Sequence, residues 1–243
     1  ESADPEVIKA NDLKAMPDEV FQAISLINEV GRVRGSNGLP ELLPGINFVH
    51  GLKGETKKTF ELNYAFLREL LDSDLLVRRI NIRQVMAFPG TPMYGQDELV
   101  SKNKKLFLKY KEKVRKEIDL PMLKKLVPPG TVLRDVLCEV NDANICFGRQ
   151  MGSYPLLVGI PANMPLGEFI DITVTRHGQR SITGIPYPLD INRAALQLIQ
   201  ELPSIGKKQA VSIRNKAPFS DKEDFLERTD NTEQLLEYLS IRP

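Results

Sequence analysis

The stretch between Gly130 and Gly184 constrains the fold more than any other part of the chain. Gly130, Gly148, Gly152, Gly159, Gly167, Gly178 and Gly184 cut it into segments too short for ordinary helices. Within it, Phe169 to His177 sets Ile170, Ile172 and Val174 against Asp171, Thr173 and Thr175. That two-residue period belongs to a half-buried strand. Short glycine-bounded strands in a stretch of this size predict a small closed β-barrel of about five strands, because closure removes exposed strand edges. Pro128-Pro129-Gly130 marks a linker into it.

Upstream, residues 1–127 alternate helical and strand patterns. Val20, Ile24, Ile27 and Val30 have helical spacing over Asp18 to Val30, with Gly31 as a stop. Ile46 to Val49, between Gly45 and Gly51, reads as a buried strand. Thr56 is placed to cap a helix with the stripe Phe60, Tyr64, Leu67 and Leu71. Arg79 to Val85 predicts a strand with Ile80 and Ile82 on one face and Asn81 and Arg83 on the other. Strand and helix in turn imply parallel βα units. A basic helix follows from about Ser101 to Ile118, with the apolar stripe Phe107, Tyr110, Val114 and Ile118. Lys102, Lys104, Lys105, Lys109, Lys111, Lys113, Arg115 and Lys116 cover the rest, as either a solvated face or a phosphate-facing patch. Residues 188–243 are helical again: Asn192 is expected to cap a helix Arg193–Glu201, and Ser220 with Glu223 to form a capping box. The expected divisions are therefore 1–127, 128–187 and 188–243: an α/β part, a β-barrel and an α-helical part.

Hydrophobic residues at 42% and charged residues at 27% are those of a globular chain, which excludes disorder along its length. The net charge of +1 means that any nucleic-acid contact must come from local basic patches. No apolar run is long enough to span a bilayer and no signal peptide is evident, so a cytoplasmic protein without membrane partners is the expectation. Cys138 and Cys146 are read as two reduced thiols, with a hairpin disulfide as the alternative. Two thiols fall short of the three or four that hold a cubane cluster.

Asp190 to Arg214 resembles a helix-hairpin-helix unit. Pro203 to Gly206 forms the turn, Ile205 and Ala210 are apolar pins, and Lys207 and Lys208 open the second helix. Amides at that helix start bind phosphate, and Gly206 is expected to hold a backbone conformation closed to other residues. Related modules carry glycine where this chain has Ser204, so a positive φ there would be strained. The resemblance implies nucleic-acid contact through Ser204, Gly206, Lys207 and Lys208; a hairpin used only for packing is the alternative. The barrel stretch, with Ile145 to Arg149, Pro155 to Val158, Gly167 to Val174 and Ser181 to Gly184, resembles the TRAM domain of tRNA-modifying enzymes. That implies RNA contact through Arg149, Arg176, His177 and Arg180.

Glu1-Ser2-Ala3-Asp4 is similar to the segment that ends the fourth barrel strand of many radical S-adenosylmethionine enzymes. Ile46 to Thr56 resembles their fifth strand and its glycine-rich turn, and Arg79 to Pro92 their sixth strand and Pro-Gly-Thr loop. The whole plan is similar to the tRNA methylthiotransferases and to an archaeal group of such Fe-S oxidoreductases that ends in a helix-hairpin-helix. The resemblance implies a partial βα barrel represented here by its last strands. It places Glu1, Ser2, Asn47, Gly51, Gly54 and Glu55 at S-adenosylmethionine, and Asn81 and Arg83 toward the substrate; the alternatives put Asn47 and Asn81 in the fold's own hydrogen-bond network and Glu55 in the first turn of a helix. It also implies a 4Fe-4S cluster in the intact protein, held by a C-x-x-x-C-x-x-C segment that this sequence lacks. No catalytic residue is assigned, and no cofactor or metal is expected in the 243 residues themselves. The expected partner is nucleic acid, RNA before DNA, with self-association through the cut barrel. A non-catalytic nucleic-acid-binding adaptor with a structural α/β part is the alternative. Anaerobic reconstitution of this chain should therefore give no stoichiometric iron and no 5′-deoxyadenosine; a loaded cluster with cofactor turnover would overturn that expectation.

Overall fold

The computed structural model describes residues 1–152, 155–229 and 233–242, with the side chains of Asp97 and Leu99 also left aside. The chain is mixed α/β with a closed five-stranded barrel, and it divides into two compact units. The first gathers Glu1–Arg34 and Pro40–Leu126; the second gathers Gly35–Leu39 and the chain from Val127 onward. The barrel and the C-terminal helices thus share one unit.

In the first unit, helix α1 (Pro5–Ala10) is capped by Asp4, whose carboxylate accepts from the Glu6 amide. Helix α2 (Pro17–Gly31) runs one residue beyond its expected end, because Gly31 lies inside it, packed against the Leu42 backbone where a side chain would collide. Its buried face is Ile24, Asn28 and Gly31, and Val30 is 72% exposed, so the expected apolar stripe is partly polar. The reason is specific: the Asn28 amide bonds the Leu76 backbone in both directions, at 3.0 and 2.8 Å. Strand β1 (Gly45–His50) pairs in parallel with β2 (Arg79–Gln84), with Asn47 opposite Asn81 and Val49 opposite Arg83. Helix α3 (Lys57–Asp72) connects them; Thr56 sits at its N-cap and donates its amide to Thr59 Oγ1. The strands' Ile46, Phe48, Ile80 and Ile82 share one core with Phe66, Leu67 and Leu70 of α3. Burial of each such side chain contributes about 1.5–3 kcal/mol.

The basic segment is not one helix. Helix α4 (Asp97–Lys102) ends at Asn103, and α5 (Lys104–Val114) passes into a π turn (Arg115–Asp119) and then α6 (Leu120–Leu126). The expected stripe holds: Phe107, Tyr110, Val114 and Ile118 are all buried. Arg115, expected on the charged surface, is instead buried, donating to the Ile80 carbonyl and pairing with Asp119. An unpaired guanidinium there would be costly, and Asp119 one turn on neutralises it.

In the second unit, β3 (Val132–Asp142), β4 (Ile145–Gln150), β5 (Leu157–Ile160), β6 (Phe169–His177) and β7 (Ser181–Pro186) close in the order β3-β4-β5-β7-β6. All pairs are antiparallel except β5 with β7, which is parallel. The β3–β4 hairpin turns at Ala143 and Asn144, both with positive φ, the geometry that follows strand twist. Leu133, Val136, Val158, Ile160, Ile172, Val174 and Ile185 are buried. Beyond it, β8 (Leu189–Asp190) leads to α7 (Leu196–Gln200), α8 (Lys207–Lys216) and α9 (Lys222–Thr229). A 3-10 turn (Glu233–Tyr238) then brings β9 (Leu239–Ser240) parallel to β8.

Two caps differ from expectation. Asn192 does not cap a helix: its amide accepts from Phe219 N–H and donates to the Phe219 and Arg242 carbonyls, pinning loop to loop. The box before α9 is formed one residue later than expected, by Asp221 accepting from the Asp224 amide and Asp224 accepting from the Ser220 amide.

Gly148 is forced by packing, since a Cβ there would lie inside contact distance of the Leu137 carbonyl. Gly148→Val should therefore cost about 1–3 kcal/mol as an overpacked site. Gly159→Ala, whose Cβ would meet its neighbours at an ordinary 3.6 Å, should cost far less. Urea unfolding followed by circular dichroism checks the pair.

Candidate nucleic-acid interface and polar strand face

The two parallel strands present one polar face. Asn81 donates its amide to Asn47 Oδ1 at 2.9 Å, and Arg79 Nε donates to Asn81 Oδ1 at 2.9 Å. Gly45, Asn47 and Arg83 are exposed, while Asn81 is buried. Parallel sheets are ordinarily covered on both faces, so an open polar face is unusual. Glu1 lies along the outer edge of β1, its carbonyl accepting from the Val49 amide at 3.0 Å. Ser2 is turned inward: its hydroxyl lies 3.4 Å from Asn63 Oδ1 and accepts from the Asp4 amide. Asp4 in turn accepts from the Thr59 hydroxyl at 2.6 Å.

Gly51 and Gly54 both adopt positive φ in the turn after β1. Glu55, expected near the cofactor or in the first turn of a helix, lies just before the α3 cap and is sealed inside. Its Oε2 is 2.8 Å from His50 Nδ1 and accepts from the Gly51 amide at 3.1 Å; its Oε1 accepts from Asn103 at 3.3 Å. The His50 ring stacks on Phe60 at 4.5 Å and meets Phe107 and Tyr110 edge-on. Among the described residues, neither His50 Nε2 nor the Tyr110 hydroxyl has a hydrogen-bond partner, and burial pushes the Tyr110 phenol up. Sequence reasoning missed His50, although its place two residues after Phe48 and four after Ile46 puts it on the inward side of β1.

On the barrel, Arg149 of β4 pairs with Glu139 of β3 at 2.8 Å. Arg176 of β6 is held by Glu201, with Nε donating at 2.7 Å and Nη2 closing a second bond; Thr175 shares the same carboxylate. His177 Nε2 lies 2.7 Å from the Val127 carbonyl. Arg180 is exposed in the turn between β6 and β7. The edge of the Phe147 ring lies over Gly159 on the outer side of β4 and β5. Cys138 and Cys146 are free, buried thiols, and burial followed by the neighbouring Cys146 pushes the Cys138 thiol up to about 12.

The hairpin forms as a turn between α7 and α8, with Ile205 and Ala210 buried as its pins. Its strained residue is Ser204, at φ +62. Gly206 differs from expectation: it has φ −83 and ψ 166, an extended conformation open to any residue, with free space where a Cβ would stand. The left-handed step of the turn falls two residues earlier, which is why glycine is not required at 206. Gln209 accepts from the Gly206 amide at 3.2 Å, and Lys207 and Lys208 are exposed at the start of α8. The first amides of that helix have no intrahelical acceptor.

Among the described residues, no cluster of three or more His, Cys, Asp or Glu side chains is arranged to hold a metal ion, and no helix is long and apolar enough to cross a membrane. No protein-family profile matches the chain. It is 55% identical over 187 residues to an uncharacterized protein of Methanocaldococcus jannaschii, covering 76% of this chain and 34% of that protein. It is 50% identical over 203 residues to an uncharacterized protein of Archaeoglobus fulgidus, covering 83% of this chain and 38% of that protein. The chain thus spans little more than a third of the length of these archaeal relatives.

Ser204→Gly should stabilise the second unit. Relieving a left-handed serine returns about 1–2 kcal/mol, and the greater freedom of unfolded glycine takes back about 0.5–1. A net gain of about 0.5–1 kcal/mol in urea unfolding is expected; a loss would mean that the turn needs the serine side chain.

Proposed function

We propose that this chain is the nucleic-acid-holding C-terminal part of a radical S-adenosylmethionine iron–sulfur enzyme that modifies RNA. The observation that carries the nucleic-acid half is the start of α8, where Lys207 and Lys208 flank amides that no carbonyl of the helix reaches. A five-stranded barrel in the same unit, with a basic turn at Arg180, supports a TRAM- or OB-like module beside it. Arg149 and Arg176 hold acidic partners, so any contact they make to phosphate is shared with Glu139 and Glu201.

The radical-enzyme half rests on the parallel strands, their open polar face and Glu1 running beside β1. Asn47 and Arg83 are the exposed groups that a bound S-adenosylmethionine or substrate would meet, with Asn81 behind them. Ser2 and Glu55 do not fit a ligand-binding role as they stand, since both are committed to internal hydrogen bonds. That observation favours the second reading, a nucleic-acid-binding adaptor whose α/β unit is structural. Iron analysis of a full-length archaeal relative purified anaerobically separates the two: a cubane cluster supports the enzyme, and its absence the adaptor.

Contact through α8 should be indifferent to base sequence and sensitive to salt, because amides and lysines reach phosphates. Affinity of the chain for labelled tRNA and for a DNA duplex, read by fluorescence anisotropy at several salt concentrations, checks it. Lys207→Ala with Lys208→Ala should lower the logarithmic salt slope by about two. Gly206→Val should leave binding unchanged, given the open space at that position. Binding indifferent to the double lysine change would leave the hairpin as a packing element.

A further inference from the structure

We infer that α5 and the π turn that continues it carry a second polyanion-binding surface, built from Lys105, Lys109 and Lys116 in the first compact unit and fitted to a nucleic-acid backbone. The buried stripe Phe107, Tyr110, Val114 and Ile118 fixes the rotation of this helix. At 3.6 residues per turn, Lys105, Lys109 and Glu112 fall opposite that stripe with Leu108 beside them, Lys116 follows on the exposed side of the π turn, and Lys104 lies toward the flank. All of these are exposed.

The arrangement opposes local helix energetics twice over. Lys104 and Lys105 occupy the first turn, where the positive end of the helix dipole disfavours cations. Lys105 with Lys109, and Lys109 with Lys113, are like-charge pairs four residues apart, which destabilise a helix. Other helices of this chain are ordinary solvated surfaces by comparison: α3 pairs Lys57 with Glu61 and Arg68 with Asp72, and α9 pairs Asp224 with Arg228. Among the described residues, Lys104, Lys105, Lys109 and Lys116 form no ion pair. Two other cations of the run are engaged with the protein: the exposed Lys113 lies 3.8 Å from the Tyr64 ring centroid, and Arg115 is buried on Asp119.

What remains is a row of compact, strongly hydrated point charges. Lysine in this form reaches phosphates without the planar fork that reads bases. From Lys105 to Lys116 the row spans roughly 16 Å at about 1.5 Å per residue, enough for on the order of three phosphates. A lipid surface is the weaker match, since a helix lying on a membrane buries its apolar face there, and here that face is in the protein core.

The test uses the whole chain, labelled tRNA and a salt series. Lys105→Ala, Lys109→Ala and Lys116→Ala together should lower the salt slope by about two to three, with circular dichroism unchanged and the unfolding midpoint unchanged or raised, since the removed charges oppose the helix. Glu112→Gln should tighten binding at least twofold at low salt, and this gain does not depend on how the triple variant folds. Loss of binding in the Lys207/Lys208 variant but none in the triple variant, with no gain from Glu112→Gln, overturns this inference and leaves the hairpin reading standing. The reverse pattern supports α5 and removes the hairpin. Lysine-dependent binding to phosphatidylglycerol vesicles with no effect on tRNA would overturn the nucleic-acid assignment in favour of a membrane.

Discussion

The parallel pairing of β5 with β7 is the contact on which the second unit depends. Four of the five strand pairs are antiparallel neighbours; this one closes the ring and leaves no barrel strand with a bare edge. Closure over so few strands demands sharp bending. Register breaks at Leu133/Val136, Cys138/Val140 and Val174/Arg176 supply it, as bulges do in curved sheets. The closed ring then serves as an anvil for its neighbours. The Asn37 carbonyl is held by the Arg134 amide and by Gln150, and Glu201, just past α7, is held by Thr175 and Arg176. The end of α7 is thus tied to β6 by Glu201, and the barrel and the hairpin belong to one compact unit.

Much of this was legible in the sequence. Period-two alternation announced β6, glycine spacing announced a closed barrel, and helical spacing announced the stripe of α5. These signals are local and set by burial on one side. What escaped was decided by distant partners. Asn28 looks like a break in an apolar stripe until Leu76 arrives beside it, and Glu55 looks like a free carboxylate until His50 folds onto it. Asn192 has the composition of a cap and is taken instead by Phe219, a loop away. At the hairpin, the comparison with related modules pointed to a strained positive φ at Ser204, which is there, whereas the special conformation expected of Gly206 from its residue type is not. For the candidate site, Lys207 and Lys208 were readable because they lie in one turn. The state of Arg149 and Arg176 was not, since each depends on an acid distant in sequence, Glu139 of β3 and Glu201 just past α7.

A division of labour between the two cations follows. The arginines Arg115, Arg149 and Arg176 are matched to carboxylates, where a planar fork with several donors suits fixed geometry. The lysines of α5 and of the α8 start are left facing solvent. A chain of nearly balanced total charge can in this way leave two runs of lysine facing solvent, because most of the ion-paired acids among the described residues are placed against arginines, with Lys57 and Lys125 the lysines that do hold one.

The π turn at Arg115–Asp119 acts as a phase corrector. Val114, Ile118, Met122 and Leu126 recur every fourth residue, and all four are buried. An ordinary α-helix advances 3.6 residues per turn, so three such steps would rotate the stripe by about 120° and carry Leu126 off the core. One wider turn absorbs most of that drift. Helix length here is therefore not freely adjustable. Deleting a single residue from α5 while the π turn persists would swing α6 by about 100° relative to the packed part of α5, whereas the same deletion inside the π turn would restore regular winding and leave α6 nearly in phase, so the cost of one lost residue depends on which turn loses it.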